Sequence, residues 1–450
     1  MVLDTHDGTP RLPSVVRAYV HNSCEHRHTR LGRRGLPLPW ARDHLEEAMT
    51  MRIDADLLIP GRGQPLENGT VIMEGRTIAY AGSSSDAPET PDAVTTAVPV
   101  AMPGLWDSHI HFIGLTTTDM HDTLHTTIAE MAVRAAADAS ATLDGGVTSV
   151  REVGGFGLDI ATVINDGSVR GPNIYGAGRI LSTTAGHADG HSFDLDFIES
   201  SERWLGEICD GVPSCLKAVR KQLRKNAKVI KICASGGVMS EIDHPIHQQF
   251  SEEELLAIVE EAGRAERYVA AHTHGLPGIK AAVAAGCQTI EHGSYLDEET
   301  AALMAERGTI YVPTRFIVDQ LLRMEASLPR YAYEKGVMVA DHHSQAMKIA
   351  IANDVTIAMG TDIFTPGSYG QNGAEIRFLQ NAGMTALEAI EAATANGPLT
   401  LGPQAPRSGQ LSDGYDADVI ALDFNPLEDN TPWGDPDRVT HVWKSGKREK

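Results

Sequence analysis

Two pairs of histidines, each with one residue between them, are the first feature of this sequence that could do chemistry. His109 and His111 end an apolar run, and His272 and His274 end another. Residues i and i+2 of a β-strand project from the same face, so each pair would present two imidazoles side by side. Converging imidazoles are common metal ligands. A single pair is weak support, because two partly buried structural histidines give the same pattern.

Three more polar residues lie within or at the ends of other apolar runs. His292 follows Glu291, Asp362 follows a Gly-Thr pair, and Lys231 interrupts the run at 229–233. An unpaired ammonium is costly to bury, and burial lowers its pKa, which exposes a free amine able to take up CO₂. The resulting carbamate would act as a carboxylate that bridges two cations. An ordinary ion pair between this lysine and an aspartate is the alternative.

Several polar residues in the predicted loops are candidates for substrate binding. The glycine-rich loop at 183–191 contains His187 and His191, which could bind a substrate carboxylate or simply be solvated. Further candidates follow the fourth, sixth and seventh strands, where rim hydrogen bonds or salt bridges are the alternative: His244, His247, Tyr295 and Arg315. Because the net charge of −22 repels anions, an anionic substrate would need local donors, so we expect the substrate to carry a free carboxylate that His187 or His191 recognises.

The elements that must position these residues are strands separated by helices. The strand-like runs are 98–106 continuing into 108–112, 148–153, 173–180, 228–234, 268–274, 288–292, 309–313 and 355–361. Helical segments intervene, such as the one that Ser251 begins as an N-cap before three glutamates. Eight strand–helix units predict an α/β fold, a (β/α)₈ TIM barrel whose strand carboxyl ends form the catalytic rim. An open doubly wound sheet is less favoured, since the candidate residues follow many different strands.

The two ends of the chain differ from this middle region. Short strands separated by turns occupy 51–100 and 408–450, and neither set could form a stable sheet alone, so we expect them to pair into one small β-sandwich. The barrel would then span 101–407. Residues 1–50 are rich in Arg, His and Pro without periodic patterning, which predicts a poorly ordered N-terminal extension.

Composition excludes several classes of function. The 450 residues carry a net charge of −22, so nucleic acids and anionic membranes would be repelled. No run approaches the roughly 20 apolar residues that a membrane span needs. The five cysteines, an odd number without Cys-x-x-Cys spacing, predict reduced thiols and a cytoplasmic location.

Longer runs of the sequence resemble a known family, the metal-dependent amidohydrolases. The resemblance covers 53–447 and is carried by the runs 102–111, 229–240, 249–251 and 393–406. It indicates the branch that contains imidazolonepropionase-like and prolidase-like proteins, ochratoxinase, and the molinate and phenylurea hydrolases. The loops at 113–128, 185–215 and 315–335 depart from the family pattern, and these are the loops that would select the substrate.

The resemblance implies a binuclear metal site. One metal would be held by His109, His111 and Asp362, and the other by His272 and His292, with carboxylated Lys231 and a hydroxide between them. Zinc is the default metal for such a site, and cobalt or manganese accept the same ligands. Asp362 would move the proton from the hydroxide to the departing amine. His274 would polarise the carbonyl or orient a ligand, with a structural role as the alternative.

The expected function is hydrolysis of a C–N bond in a small molecule. An N-acyl amino acid, a dipeptide or an ochratoxin-like amide is the leading substrate. A phenylurea or thiocarbamate herbicide and a cyclic amide of the imidazolonepropionase type are the enzymatic alternatives, and an inactive scaffold is the non-enzymatic one. The resemblance also implies a homo-oligomer, with neither nucleic acid nor membrane as a partner.

Overall fold

The computed structural model describes residues 50–450. The predicted N-terminal extension, 1–50, therefore lies outside the described residues except for Thr50, which begins the first strand.

Strands from both ends of the described chain pair in one sheet of seven. Its members are β1 (Thr50–Leu58), β2 (Leu66–Glu74), β3 (Thr77–Ser83), β4 (Val94–Pro103), β14 (Val419–Leu422), β15 (Val439–Lys444) and β16 (Lys447–Arg448). The order is β16-β15-β14-β4-β1-β2-β3, and only β1 and β4 run parallel. Alternate side chains such as Ile53, Val71 and Trp443 are buried in its core. The two β-rich ends thus complete a single sheet, although the predicted domain boundaries stay a prediction.

The strands between these ends are all parallel. They are β5 (Leu105–Ile110), β6 (Val147–Glu152), β7 (Asn173–Gly176), β8 (Ile180–Ser182), β9 (Gly206–Ile208), β10 (Val229–Cys233), β11 (Tyr268–Thr273), β12 (Thr289–His292) and β13 (Ile310–Val312). Strands β5-β6-β7 form one sheet, and β13-β12-β11-β10-β8-β9 form another. Parallel strands place their carboxyl ends at one edge, which is where the candidate residues lie.

Helices connect these strands and cover them. They are α1 (Asp122–His125), α2 (Ile128–Asp144), α3 (Gly157–Asn165), α4 (Leu195–Ser200), α5 (Val212–Arg224), α6 (Glu252–Arg264), α7 (Leu276–Ala285), α8 (Glu298–Arg307), α9 (Arg315–Arg323), α10 (Arg330–Ala352), α11 (Ala374–Ala382) and α12 (Ala386–Ala392). Ser251 caps α6 as predicted, in a reciprocal capping box with Glu254. Within residues 50–450, every helix is too short or too polar to cross a membrane.

Two predicted strands need correction. The run 173–180 forms two strands, β7 and β8, because Gly178 between them has a positive φ of 76°. The run 355–361 forms no regular strand in the described chain; isolated parallel bridges join Ile357 to Tyr311 and Ile363 to Ile110 instead. Asp362 interrupts the extended backbone here with a φ of 57°. These bridges still connect both parallel sheets to the segment that carries Asp362.

Candidate metal centre

One pocket at the carboxyl ends of the parallel strands collects most of the predicted site residues. It is a cleft that opens to solvent and has a cavity volume of about 80 Å³. Its polar lining consists of His109, His111, His187, Lys231, His272, His274, His292 and Asp362. The structure therefore brings together all six predicted metal ligands, which lie far apart in the sequence.

His109, His111 and Asp362 form the first group of possible ligands. Their ligand atoms lie within 4.8 Å of one another. The Asp362 Oδ1 is 3.1 Å from His111 Nε2 and 3.4 Å from His109 Nε2. Two imidazole nitrogens and a carboxylate oxygen therefore face one point. Together they are a suitable donor set for a divalent cation.

The hydrogen bonds of the two β5 histidines fix which ring nitrogen faces this group. His109 Nδ1 donates to Glu291 Oε2 at 2.7 Å, and His111 Nδ1 donates to the carbonyl oxygen of Gly154 at 2.7 Å. Because a carboxylate and a carbonyl only accept, each Nδ1 must carry the proton. Both Nε2 atoms then present lone pairs to the pocket, as metal ligation requires.

His272, His274 and His292 form the second group, again with ligand atoms within 4.8 Å of one another. His272 Nε2 contacts the carbonyl of Gly236 at 3.2 Å, so this nitrogen donates and Nδ1 is the free acceptor. The ligand atom of His274 is thus as close to those of His272 and His292, the two predicted ligands, as these are to each other. Its assignment as an orienting or polarising residue, rather than a ligand, stays a prediction.

Lys231 lies between the two groups and is 2% exposed. Its Nζ is 3.3 Å from His109 Nε2. Burial lowers the pKa of this lysine from its ordinary value, against the opposing pull of Glu291 and Asp362. A lowered pKa increases the fraction of free amine, which is the form that reacts with CO₂.

Burial holds four of these histidines in the neutral form by lowering their pKa: His109, His272, His274 and His292. Burial, together with the nearby Lys231, lowers the pKa of His109 to about 4. Burial, together with His187, lowers the pKa of His274 to about 3. Neutral imidazole is the form that binds metals, so the protonation states as well as the positions of these residues fit a pair of divalent cations.

Comparison with known proteins agrees with this geometry. A sequence model described as the amidohydrolase family matches residues 100–448. The chain belongs to the amidohydrolase family. Ochratoxinase of Aspergillus niger is 46% identical over 420 residues, covering 89% of this chain and 87% of that protein. The predicted family and the prediction of an enzyme that hydrolyses C–N bonds are therefore confirmed.

Solved structures resemble this amidohydrolase over most of its length. The crystal structure of A. niger ochratoxinase superposes with a TM-score of 0.83 at 45% identity, covering 90% of this chain and 96% of that chain. A Xaa-Pro dipeptidase with methionine bound in its active site gives a TM-score of 0.81 at 29% identity, covering 89% and 100%. Molinate hydrolase shares the fold at 20% identity, with a TM-score of 0.74 and coverage of 89% and 95%.

Three positions with a strained backbone lie in or beside this candidate metal centre. His292, Thr314 and Asp362 all adopt the left-handed region, with φ between 57° and 66°. This conformation is uncommon for any residue other than glycine and is most unusual for β-branched threonine. The Thr314 hydroxyl is 2.7 Å from His292 Nδ1, so the strained turn orients a predicted ligand. Such strain is typical of functional sites that the surrounding fold holds in place.

Five of the six candidate substrate-binding residues do not line this pocket. Arg315 donates to the carbonyl of Ala340 at 2.7 Å, and His191 Nδ1 accepts from the Ile242 N–H at 3.1 Å. Among the residues that the structure describes, the candidates absent from the pocket lining are His191, His244, His247, Tyr295 and Arg315. Their roles in substrate binding stay predictions. The contacts that these side chains make at the rim cannot be read from their positions in the sequence.

His187 is the predicted substrate-binding residue that does line the pocket. Its ring stacks on His272 with 4.3 Å between centroids, and its Nδ1 is 2.8 Å from Ser240 Oγ. Ser240 donates its own proton to Asp243, so its oxygen accepts from His187. The His187 Nε2 is then an acceptor, which favours a donor on the substrate over a carboxylate.

A buried ion pair behind the ligands was missed from the sequence. Arg151 contacts Glu291 at 2.7 and 2.8 Å, and both side chains are fully buried. Burial opposes ionisation of Glu291, but Arg151 and His109 hold the pKa of its carboxyl below its ordinary value. A sequence signal was available, because Arg151 and Glu291 are charged residues inside predicted strands, as Lys231 is.

Replacing Glu291 with glutamine should lower metal affinity by roughly 10- to 100-fold, because His109 loses the carboxylate that orients it. Leaving Arg151 buried without its partner should cost about 3–5 kcal/mol of unfolding free energy. The lowered pKa means that ionised Glu291 stabilises the fold above pH 4.5 and that this stability is lost as the pH falls further. Chemical denaturation between pH 3 and 7 should therefore show a flatter acid limb in the variant. Glu306→Gln, on the surface of α8, is the control; equal effects in both variants would contradict the role of Glu291.

Proposed function

We propose that this amidohydrolase cleaves the C–N bond of a small-molecule amide, with N-acyl amino acids, dipeptides and ochratoxin-like amides as the substrate classes. The observation that carries the proposal is the convergence of both ligand groups and Lys231 in one pocket. The similarity to ochratoxinase over 89% of the chain supports the amide class. The similarity to a Xaa-Pro dipeptidase supports dipeptides.

The proposal includes closure of the two parallel sheets into a (β/α)₈ barrel. The bridges from Ile357 to Tyr311 and from Ile363 to Ile110 support closure, because they join β13 and β5 through one segment. A closed barrel would place every candidate ligand on one rim. The barrel over 101–407 and the accessory domain from 51–100 and 408–450 belong to the same proposal.

The residues present fit two metal ions. His109, His111 and Asp362 would hold one, and His272 and His292 the other, with Lys231 as a carbamate between them. Two such ions, zinc by default, would supply a hydroxide nucleophile at neutral pH and polarise the scissile carbonyl.

Asp362 is the chain's own proton carrier in this proposal. Burial disfavours its ionised form, but His109 and His111 hold the pKa of its carboxyl below the ordinary value. The carboxylate is therefore ionised at neutral pH and able to accept a proton. It lies in the pocket that admits the substrate, so it can then donate that proton to the departing amine.

A substrate panel tests the proposal directly. Metal-loaded enzyme is assayed with N-acyl amino acids, dipeptides, a phenylurea, a thiocarbamate and a lactam. We expect kcat/KM for the best linear amide to exceed that for the other classes by at least tenfold. Each acid is paired with its primary amide in wild type and in His187→Ala; a preference for the acid that is lost in His187→Ala would contradict the acceptor role of His187 Nε2. Faster cleavage of the phenylurea, or no turnover at all, would contradict the amide assignment.

A further inference from the structure

One side of the pocket, next to the histidines, is an apolar wall. The side chains that form it come from α9, α10 and the segments after β10 and Asp362: Val238, Ile317, Val318, Leu321, Val339 and Phe364. A wall of this kind has no hydrogen-bonding group to offer a polar substrate. It would instead gain free energy by burying an apolar group of the substrate.

Gly336 lies in this wall, within the 23-residue helix α10. Glycine inside a helix is less favourable than alanine. Its φ is not positive, so the backbone does not require glycine. An added Cβ would contact Leu321 Cβ and Val238 Cγ1, each at 3.9 Å, which is ordinary packing. Neither the backbone conformation nor steric crowding therefore explains why position 336 is a glycine. A need for open space next to the substrate would explain it.

The wall is fixed in place by polar contacts behind it. Glu375 accepts hydrogen bonds from the backbone N–H groups of Arg315 and Phe316, at 2.8 and 2.6 Å, and so anchors the start of α9. The Arg315 side chain joins α9 to the carbonyl of Ala340 on α10. Lys335, next to Gly336, donates to the Ser240 carbonyl at 2.7 Å. The space at Gly336 thus has rigid surroundings.

We propose that Gly336 is a specificity-determining residue, which sets the size of an apolar subsite for an aromatic or branched aliphatic group on one side of the scissile bond. The inference rests on the proposed function, because it assumes that the substrate reacts at the adjacent histidine cluster. A leucine at 336 would occupy the subsite and exclude the bulky group by steric overlap.

The test compares Gly336→Leu and Gly336→Ala with Gly263→Ala. Gly263 lies in α6, with no atom within 4 Å of an added Cβ, so it controls for the change in helix propensity. The substrates are N-acetyl-alanine, N-benzoyl-alanine and N-acetyl-phenylalanine, which place the bulky group on neither side, the acyl side or the amine side. We expect Gly336→Leu to lower kcat/KM for at least one bulky substrate by about 10- to 200-fold relative to N-acetyl-alanine.

Two further measurements keep the proposal testable if the leucine variant does not fold. Gly336→Ala and Gly263→Ala should both raise Tm. Gly336→Ala should also lower kcat/KM for the bulky substrates relative to N-acetyl-alanine, and Gly263→Ala should leave this ratio unchanged. Equal losses for all three substrates, or unchanged ratios in folded variants, would overturn the subsite.

Binding separates this inference from the proposed function. Calorimetry with phenylalanine against alanine, and with benzoate against acetate, measures the subsite without turnover. Loss of at least tenfold in affinity for one bulky member only, in Gly336→Leu, supports the subsite even if no amide is hydrolysed. Amide hydrolysis by wild type together with unchanged discrimination in the variants supports the function and overturns the role of Gly336.

Discussion

Replacement of Lys231 by alanine should lower kcat/KM by at least about 10³-fold and should reduce bound metal by one or two ions per chain. The physical reason is charge. Lys231 lies 3.3 Å from His109 Nε2 and is buried between the two histidine groups. As a carbamate it would supply the negative charge that two neighbouring cations need, and alanine leaves that charge unreplaced. Metal content by elemental analysis and initial rates on the best amide are the two measurements.

Chemical rescue distinguishes the carbamate from a structural lysine. Acetate or propionate should restore part of the metal and part of the rate in Lys231→Ala, because a small carboxylate can occupy the space that the side chain vacates. Lys225→Ala, an exposed lysine directly after α5, is the matched control and should behave as wild type. Unchanged metal content and rate in Lys231→Ala would show that this lysine is structural.

Most residues of the candidate metal centre could be predicted because they belong to local sequence patterns. The i, i+2 spacing of His109 and His111 in a strand places both rings on one side, and the structure has both in the pocket. The charged Lys231 stands out in an apolar strand whose predicted bounds, 228–234, differ by one residue at each end from those of β10. A charged residue in an apolar strand can be recognised in a single sequence, because burying a charge is costly unless it is paired or has a function.

The features of the fold and of the site that could not be predicted from the sequence depend on contacts between distant segments. The sequence allows Arg315 either a substrate contact or a rim hydrogen bond, and only the packed structure shows that its guanidinium donates to the carbonyl of Ala340 on α10. The run 355–361 forms no regular strand because its backbone N–H groups bond to separate segments: Ala358 donates to Tyr311, Met359 to Ala392 and Thr361 to His109. The free space at Gly336 likewise becomes visible only when α9 and α10 are packed together.

Replacing Asp362 with asparagine should lower kcat by about 10²- to 10⁴-fold, the usual contribution of a positioned proton carrier, while much of the metal stays bound. Asparagine keeps an oxygen that can act as a ligand, and His109 and His111 are unchanged beside it. It also tolerates the left-handed φ of 57°, so the backbone after the bridge to Ile110 should be preserved. The amide cannot accept a proton at neutral pH, so the variant loses the proton transfer rather than the fold.

The chain offers a closely matched control for this substitution. Asp354 is exposed, lies just after α10 and has a φ of 54°, so Asp354→Asn repeats the same chemical change in the same backbone conformation. Stopped-flow rates and metal analysis on both variants separate the roles of Asp362. A low kcat with most of the metal retained supports proton transfer, and a parallel loss of metal and rate would make Asp362 chiefly a ligand. A kcat near that of wild type would remove the assignment, because the pocket would then have to pass the proton through His187 or His274 instead.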